Sequence, residues 1–323
     1  MNLKRSPREV RKTGDDSAAG SLLTYVWRMS EWHQPATCLL AVFVALLNLV
    51  PIELQRRIVN EVVETRDIPV LVKFGIAYVG VTLAHQLVKY VLWIYQSWLT
   101  ESATLYTRRH LLHIYEERRN GAEEEVNDRS GRTVSIVGAE VEKLGGFVGE
   151  AISGACANLA MLLGVVVYMF VVEPQIAVFA LAFLVPQIIL TPFLQRRLND
   201  LVEERVSMLR DLGDAISDSE KDTRDRGPGL IKDIYTNRMR YFILKFILKS
   251  SLNLLNSLGP ITVLLFGGYL VMQGEVQVGV IVAFLSGFDR ISSPLRELIG
   301  FYRIAAQASV QHSMIAKWMS RSA

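Results

Sequence analysis

Long apolar runs alternate with densely charged stretches along this chain. Four runs carry no charged residue: 35–52, 151–172, 174–195 and 251–272. A helix needs about 20 mostly apolar residues to cross a bilayer, and each run is close to that length. Two more segments, 69–99 and 276–300, are apolar but hold ionisable groups. The first contains Lys73, His85 and Lys89; the second contains Asp289, Arg290, Arg296 and Glu297. The pattern predicts an all-α, polytopic membrane protein with six transmembrane helices.

The connections sharpen this picture. Glu173-Pro174 and Gln273-Gly274-Glu275 are tiny turns, which force antiparallel neighbours. Those two connections lie outside; the two inside connections are long and read as helical. Residues 97–119 lack Gly and Pro and extend the second span. Residues 193–216 extend the fourth, with Gly213 the first breaker. These stems predict long cytoplasmic helical extensions. Two turn signals interrupt them. One is Asn120-Gly121 followed by an acidic stretch with Glu123, Glu124 and Asp128. The other runs from Asp214 to Gly229, with Asp218, Glu220, Asp222, Asp225 and Arg226 ahead of the breaker Gly227-Pro228-Gly229. Each tip reads either as a solvated loop or as a docking element for a cytoplasmic partner.

Charge sets the orientation. With the N-terminus inside, the inner segments hold 6, 7, 12 and 5 of the 35 Lys and Arg residues, and the outer loops hold Arg56, Arg57 and Arg66. Basic residues concentrate on the cytoplasmic side, so both termini are expected to be cytoplasmic. Residues 1–20 have a basic region without an apolar core, so they read as a disordered cytoplasmic tail and not a signal peptide. Residues 21–34 read as an interfacial elbow helix with Leu22, Leu23, Val26, Trp27 and Met29 on an apolar face. Pro35 marks its break from the first span. The six-helix domain then covers 35–318, and 319–323 form a C-terminal tail.

Composition removes other classes. The chain is 50% hydrophobic and 21% charged, so neither a disordered nor an ordinary soluble chain fits. A net charge of +3 without a basic–aromatic run argues against nucleic acid as a partner. The two cysteines, Cys38 and Cys156, lie inside apolar runs and form no secreted disulfide framework. The histidines have no metal-ligand spacing, and no Ser–His–Asp or Cys–His arrangement stands out, so neither a metal site nor a catalytic residue is expected.

Charges inside a bilayer are costly and default to functional candidates. At a rise of about 1.5 Å per residue, His85 lies about 24 Å inward from the outer end of its span and Lys89 about 30 Å. Asp289, Arg290 and Glu297 lie about 20, 21 and 31 Å inward along the last span. His85 therefore shares a depth with Asp289, and Lys89 with Glu297. These five residues read either as a lining for a transport pathway or as ion pairs between packed spans. Tyr90, Trp93, Tyr95 and Trp98 read as an interfacial belt.

Local residues then carry a resemblance. Gly131-Arg132-Thr133-Val134-Ser135-Ile136-Val137-Gly138-Ala139-Glu140-Val141 resembles the stretch entering the third span of exporter-type ABC transporter transmembrane domains, which usually have Asp at the position of Glu140. Phe266-Gly267-Gly268-Tyr269-Leu270-Val271, then Gly274, Gly279, Ala283, Phe284 and Ser293-Pro294-Leu295, resemble their fifth and sixth spans. Pro51-Ile52-Glu53-Leu54 resembles the outer end of their first. The resemblance covers roughly 20–320. It implies a homodimer around a central cavity and residence in a bacterial inner membrane. That family normally fuses a nucleotide-binding domain after the sixth span. This sequence contains no G-x-x-x-x-G-K-[ST] loop and no Gly-Lys dipeptide. No cofactor is therefore expected in this chain. ATP and magnesium would sit on a separate nucleotide-binding subunit docked at the two tips. The alternative is a proton-coupled secondary transporter of polar substrates or peptides with the same membrane fold and no ATPase. A non-transporting regulatory subunit is also admissible.

Overall fold

The computed structural model describes residues 20–65, 68–121, 140–218 and 220–320. The described residues are helical with short turns and contain no strand. The helices are α1 (Leu22–Ser30), α2 (His33–Leu47), α3 (Val50–Thr65), α4 (Ile68–Gly121), α5 (Val141–Gly146), α6 (Ile152–Val172), α7 (Pro174–Leu181), α8 (Leu184–Asp218), α9 (Glu220–Thr262), α10 (Gly268–Met272) and α11 (Val278–Ser320). Single π-turns at Phe147–Ala151 and Val263–Gly267 join α5 to α6 and α9 to α10. Six of the resulting helical stretches are long and apolar enough to cross a membrane. The helices group into two compact units, Met1–Tyr168 with Asp289–Ala323, and Met169–Phe288.

In the first unit, α1 opens on a side-chain cap. The Ser21 hydroxyl accepts from the Thr24 backbone N–H at 3.2 Å. The helix ends at Glu31, whose φ of 45° turns the chain. The break therefore falls before Pro35, which sits in the first turn of α2, where a missing N–H costs nothing. The elbow also has two apolar faces where one was expected. Tyr25, Val26 and Met29 are buried against the protein, while Leu23 and Trp27 point outward at 75% and 53% exposure. Tyr25, Val26 and Met29 join Leu99, Ala103, Tyr106, Leu144, Phe147 and Ile315 in one core, which ties α1 to α4, α5, the first π-turn and the end of α11.

The first span does not stop at residue 52. After a hinge at Asn48-Leu49 it resumes as α3 and runs to Thr65. Pro51 falls in the first turn of α3, where proline is tolerated. Arg56 and Arg57 thus lie on a helix rather than in a loop. Close packing of α4 on the entry to α6 depends on glycine. A Cβ at Gly149 would lie 2.6 Å from the Thr100 backbone nitrogen, and one at Gly145 would lie 2.9 Å from the Thr100 carbonyl oxygen. Gly154, in the same small-residue run, faces open space.

In the second unit, α8 and α9 form a long antiparallel hairpin. Leu194, Leu198 and Leu248 form its core with Leu190, Leu244 and Leu252. Asn237 donates to Glu204 at 2.7 Å, and Gln187 donates to Asn256 at 3.0 Å. The hairpin corrects a sequence expectation. Gly213 lies inside α8, and Gly227-Pro228-Gly229 lies inside α9, so neither signal ends its helix. Pairing against α8 along the hairpin outweighs the weak local propensity of the breaker. Two turns between spans are short. Glu173 alone separates α6 from α7, and Gly274, at φ 77°, supplies the left-handed residue between α10 and α11.

Candidate functional site

The charges predicted inside the spans divide into two groups. His85 is buried on α4, at 8% exposure. The charges that reach it are those of Lys89, one turn along the same helix, and Arg290 on α11. The Lys89 ammonium lies 4.8 Å from the centre of the Trp93 ring, a cation–π contact that lowers the cost of holding it there. Arg290 is half-buried, and its Nη1 donates to the Asn48 backbone carbonyl at 2.6 Å and to the Asn48 side-chain oxygen. That carbonyl is free because α2 ends at Asn48. The guanidinium thus caps the hinge in the first span. His85, Lys89 and Arg290 are brought together, with Asn48 as the oxygen partner that the sequence did not disclose.

Asp289 and Glu297 are placed elsewhere. Both are exposed, and neither makes an ion pair among the described residues. Adjacent positions on a helix point about 100° apart, so Asp289 and Arg290 cannot share a face. Asp289, Ser293, Arg296, Gly300, Arg303 and Gln307 follow at intervals of three or four, which sets them on one face of α11. All are exposed except Gly300, which is half-buried. The depth match between His85 and Asp289 is therefore not a contact.

Two further groups carry no obvious sequence signal. In the first turn of α3, Glu53 accepts from Arg56 at 2.8 Å through two nitrogens, from Arg57 at 2.7 Å, and from the Tyr168 hydroxyl at 3.0 Å. At the elbow, a cavity of about 30 Å³, room for one water, is lined by Tyr25, Arg28, Thr107, His110 and His312. The Tyr25 hydroxyl pairs with Thr107 at 2.7 Å, and burial pushes its phenol up to about 12. The aromatic belt also divides. Tyr90 and Trp93 are exposed, while the Tyr95 hydroxyl bonds His33 at 2.7 Å and Trp98 stacks edge-on against the same ring.

Of the docking candidates, Glu123, Glu124 and Asp128 lie outside the described residues, as does most of the stretch 131–141. So do the side chains of Asp218, Glu220, Asp222, Asp225 and Arg226, although their backbone is helical. The tails 1–19 and 321–323 are outside them too. Among the described residues, no three His, Cys, Asp or Glu side chains are grouped to hold a metal ion.

Six helices long and apolar enough to cross a membrane define a polytopic integral membrane protein. The family described as the ABC transporter transmembrane region matches residues 36–295, and the chain belongs to that family. No curated protein sequence matches it.

Proposed function

We propose that this chain is the membrane subunit of an exporter-type ABC transporter, working as a homodimer with a separately encoded ATPase. Family membership supports the transport role. The observation that carries the pathway is the polar face of α11. Lipid would penalise exposed Asp289, about 20 Å along the last span, at about 2.5–3.5 kcal/mol near the bilayer centre, so that face calls for water or a second chain. A pathway formed between two copies supplies both. The excess of Lys and Arg on the stems supports tips and termini on the cytoplasmic side, and the membrane of this reading is a bacterial inner membrane. ATP and magnesium would act on the partner, whose closure switches the pathway between inward and outward access. The test is a pull-down of tagged protein from its native membrane in mild detergent, scored for ATP turnover. Charge reversal at Asp218, Glu220, Asp222 and Asp225 is expected to abolish co-purification. A clean preparation without ATPase, or an association indifferent to those reversals, defeats the reading.

A second reading, proton-coupled transport, draws on His85, a titratable side chain buried beside two cations. If His85→Ala and Asp289→Asn leave pH-dependent uptake unchanged, that reading fails.

A further inference from the structure

Where the α8–α9 hairpin leaves its uncharged runs, the first charges it shows are all positive. The run 174–195 ends on Arg196 and Arg197, and the run 251–272 begins just after Lys249, with Lys245 one turn before it. The first carboxylate of α8 is Asp200, a turn further from the membrane, and residues 234–262 of α9 hold none. Arg196, Arg197, Lys245 and Lys249 are all exposed. Among the described residues none of the four makes an ion pair.

Packing sets these cations at one level. Gln187 bonds Asn256, and Glu204 bonds Asn237, which fixes the register of the two helices. Counting between those pairs brings Arg197 level with Lys245 and Phe193 level with Lys249. Each uncharged run spans about 33 Å at the helix rise, against a hydrocarbon core of about 30 Å. The belt therefore stands at the height of lipid headgroups.

Its surroundings fit that height. The Arg197 guanidinium lies 5.7 Å from the Phe193 ring, and the Lys245 ammonium 6.0 Å from the Tyr241 ring. Phe193, Phe246 and Ile247 are exposed beside the cations. Toward the membrane the same hairpin exposes Ile189, Leu254 and Ile261. Aromatic rings and cations on apolar stems are what an interface between lipid and water selects.

Charge decides which lipid. Lys245 and Lys249 are four positions apart on one face of α9, about 6 Å along its axis. A zwitterionic headgroup brings a cation of its own and leaves this pair uncompensated. A headgroup of net negative charge satisfies it, and acyl chains cover the apolar surface that a soluble phosphate would leave bare. We propose that Lys245 and Lys249 form a binding site for the headgroup of an anionic phospholipid at the inner end of the α8–α9 hairpin. The site requires neither transport nor an ATPase.

The experiment is native mass spectrometry of the full chain, delipidated in detergent and titrated with phosphatidylglycerol or phosphatidylcholine of matched chains. The expected result is tighter retention of phosphatidylglycerol. Lys245→Gln with Lys249→Gln is expected to weaken it about fivefold for each charge removed, with phosphatidylcholine unaffected. Lys245→Arg with Lys249→Arg is expected to keep the preference, which separates lost charge from lost fold. Lys232→Gln, about 20 Å further along α9 from Lys245, is expected to change nothing. Equal retention of the two lipids, an equal loss in Lys232→Gln, or loss of the preference in the arginine pair would overturn the proposal. So would displacement of the lipid by equimolar inorganic phosphate, which would make this a site for the free anion. Retention by monomers that vanishes in dimers would give the face to a second copy.

Discussion

The guanidinium of Arg290 closes on Asn48, taking both its backbone carbonyl and its side-chain oxygen. Sequence places these residues 242 positions apart. The contact ties the last span to the point where the first one bends. Hydrogen bonds to charged groups contribute about 1.5–3 kcal/mol, and removing the cation strands a carbonyl in a half-buried hinge. Arg290→Leu is therefore expected to lower the thermal midpoint in detergent more than Asn48→Ala, which keeps the backbone acceptor. Unfolding followed by tryptophan fluorescence checks the order, and equal midpoints would contradict it.

The Glu53 cluster gives a coupled pair. Glu53 is the common acceptor for Arg56, Arg57 and Tyr168. A double-mutant cycle with Glu53→Gln and Tyr168→Phe is expected to show a coupling energy of about 0.5–3 kcal/mol, because both changes break the same contact. Strict additivity would mean that the bond seen between α3 and α6 contributes nothing.

Glycine packing supplies a matched comparison. A Cβ at Gly149 would run into the backbone of α4, which cannot step aside, whereas one at Gly146 meets nothing within 4 Å. Gly149→Ala is expected to cost about 1–3 kcal/mol through overpacking. Gly146→Ala is expected to be neutral or slightly stabilising, since alanine is the better helix former. Size-exclusion yield and thermal midpoints of the two variants decide it.

Tyr25 predicts an alkaline transition. Its buried phenol is raised to about 12 from an ordinary value near 10. The folded state thus holds its proton more tightly than the unfolded state. The resulting stability is complete below pH about 10 and is lost as the pH climbs toward 12, because the unfolded chain releases the proton first. Tyr25→Phe is expected to flatten that loss in a series of melts across alkaline pH, at the cost of the Thr107 bond. A wild-type slope retained in the variant would assign it to another group.

Accessibility tests the polar face of α11. In a Cys38→Ser, Cys156→Ser background, Ser293→Cys and Gln307→Cys are expected to react with a membrane-impermeant maleimide added from the cytoplasmic side, because thiolates form where water reaches. Ala283→Cys, at a fully buried position, is expected to stay silent. Silence at Ser293 and Gln307 would place that face against lipid or packed protein.

Much of this protein was legible from its sequence because a bilayer imposes a length and a polarity on anything that crosses it. Six spans, the stems extending the second and fourth of them, and the tight outer turns all follow from runs of apolar residues and from the absence of Gly and Pro in the stems. Local rules misjudged the places where neighbours compete with propensity. Pro35 looks like a breaker, yet it sits in a first turn that needs no N–H. Gly227-Pro228-Gly229 looks like a turn, yet it continues a helix within a hairpin packed by Leu198 and Leu248. Facing partners were also hidden. Depth counting brought His85 and Asp289 to one level, but azimuth decides contact. Azimuth depends on how α11 packs, and that packing turns Arg290 toward Asn48 and Asp289 to the exposed face.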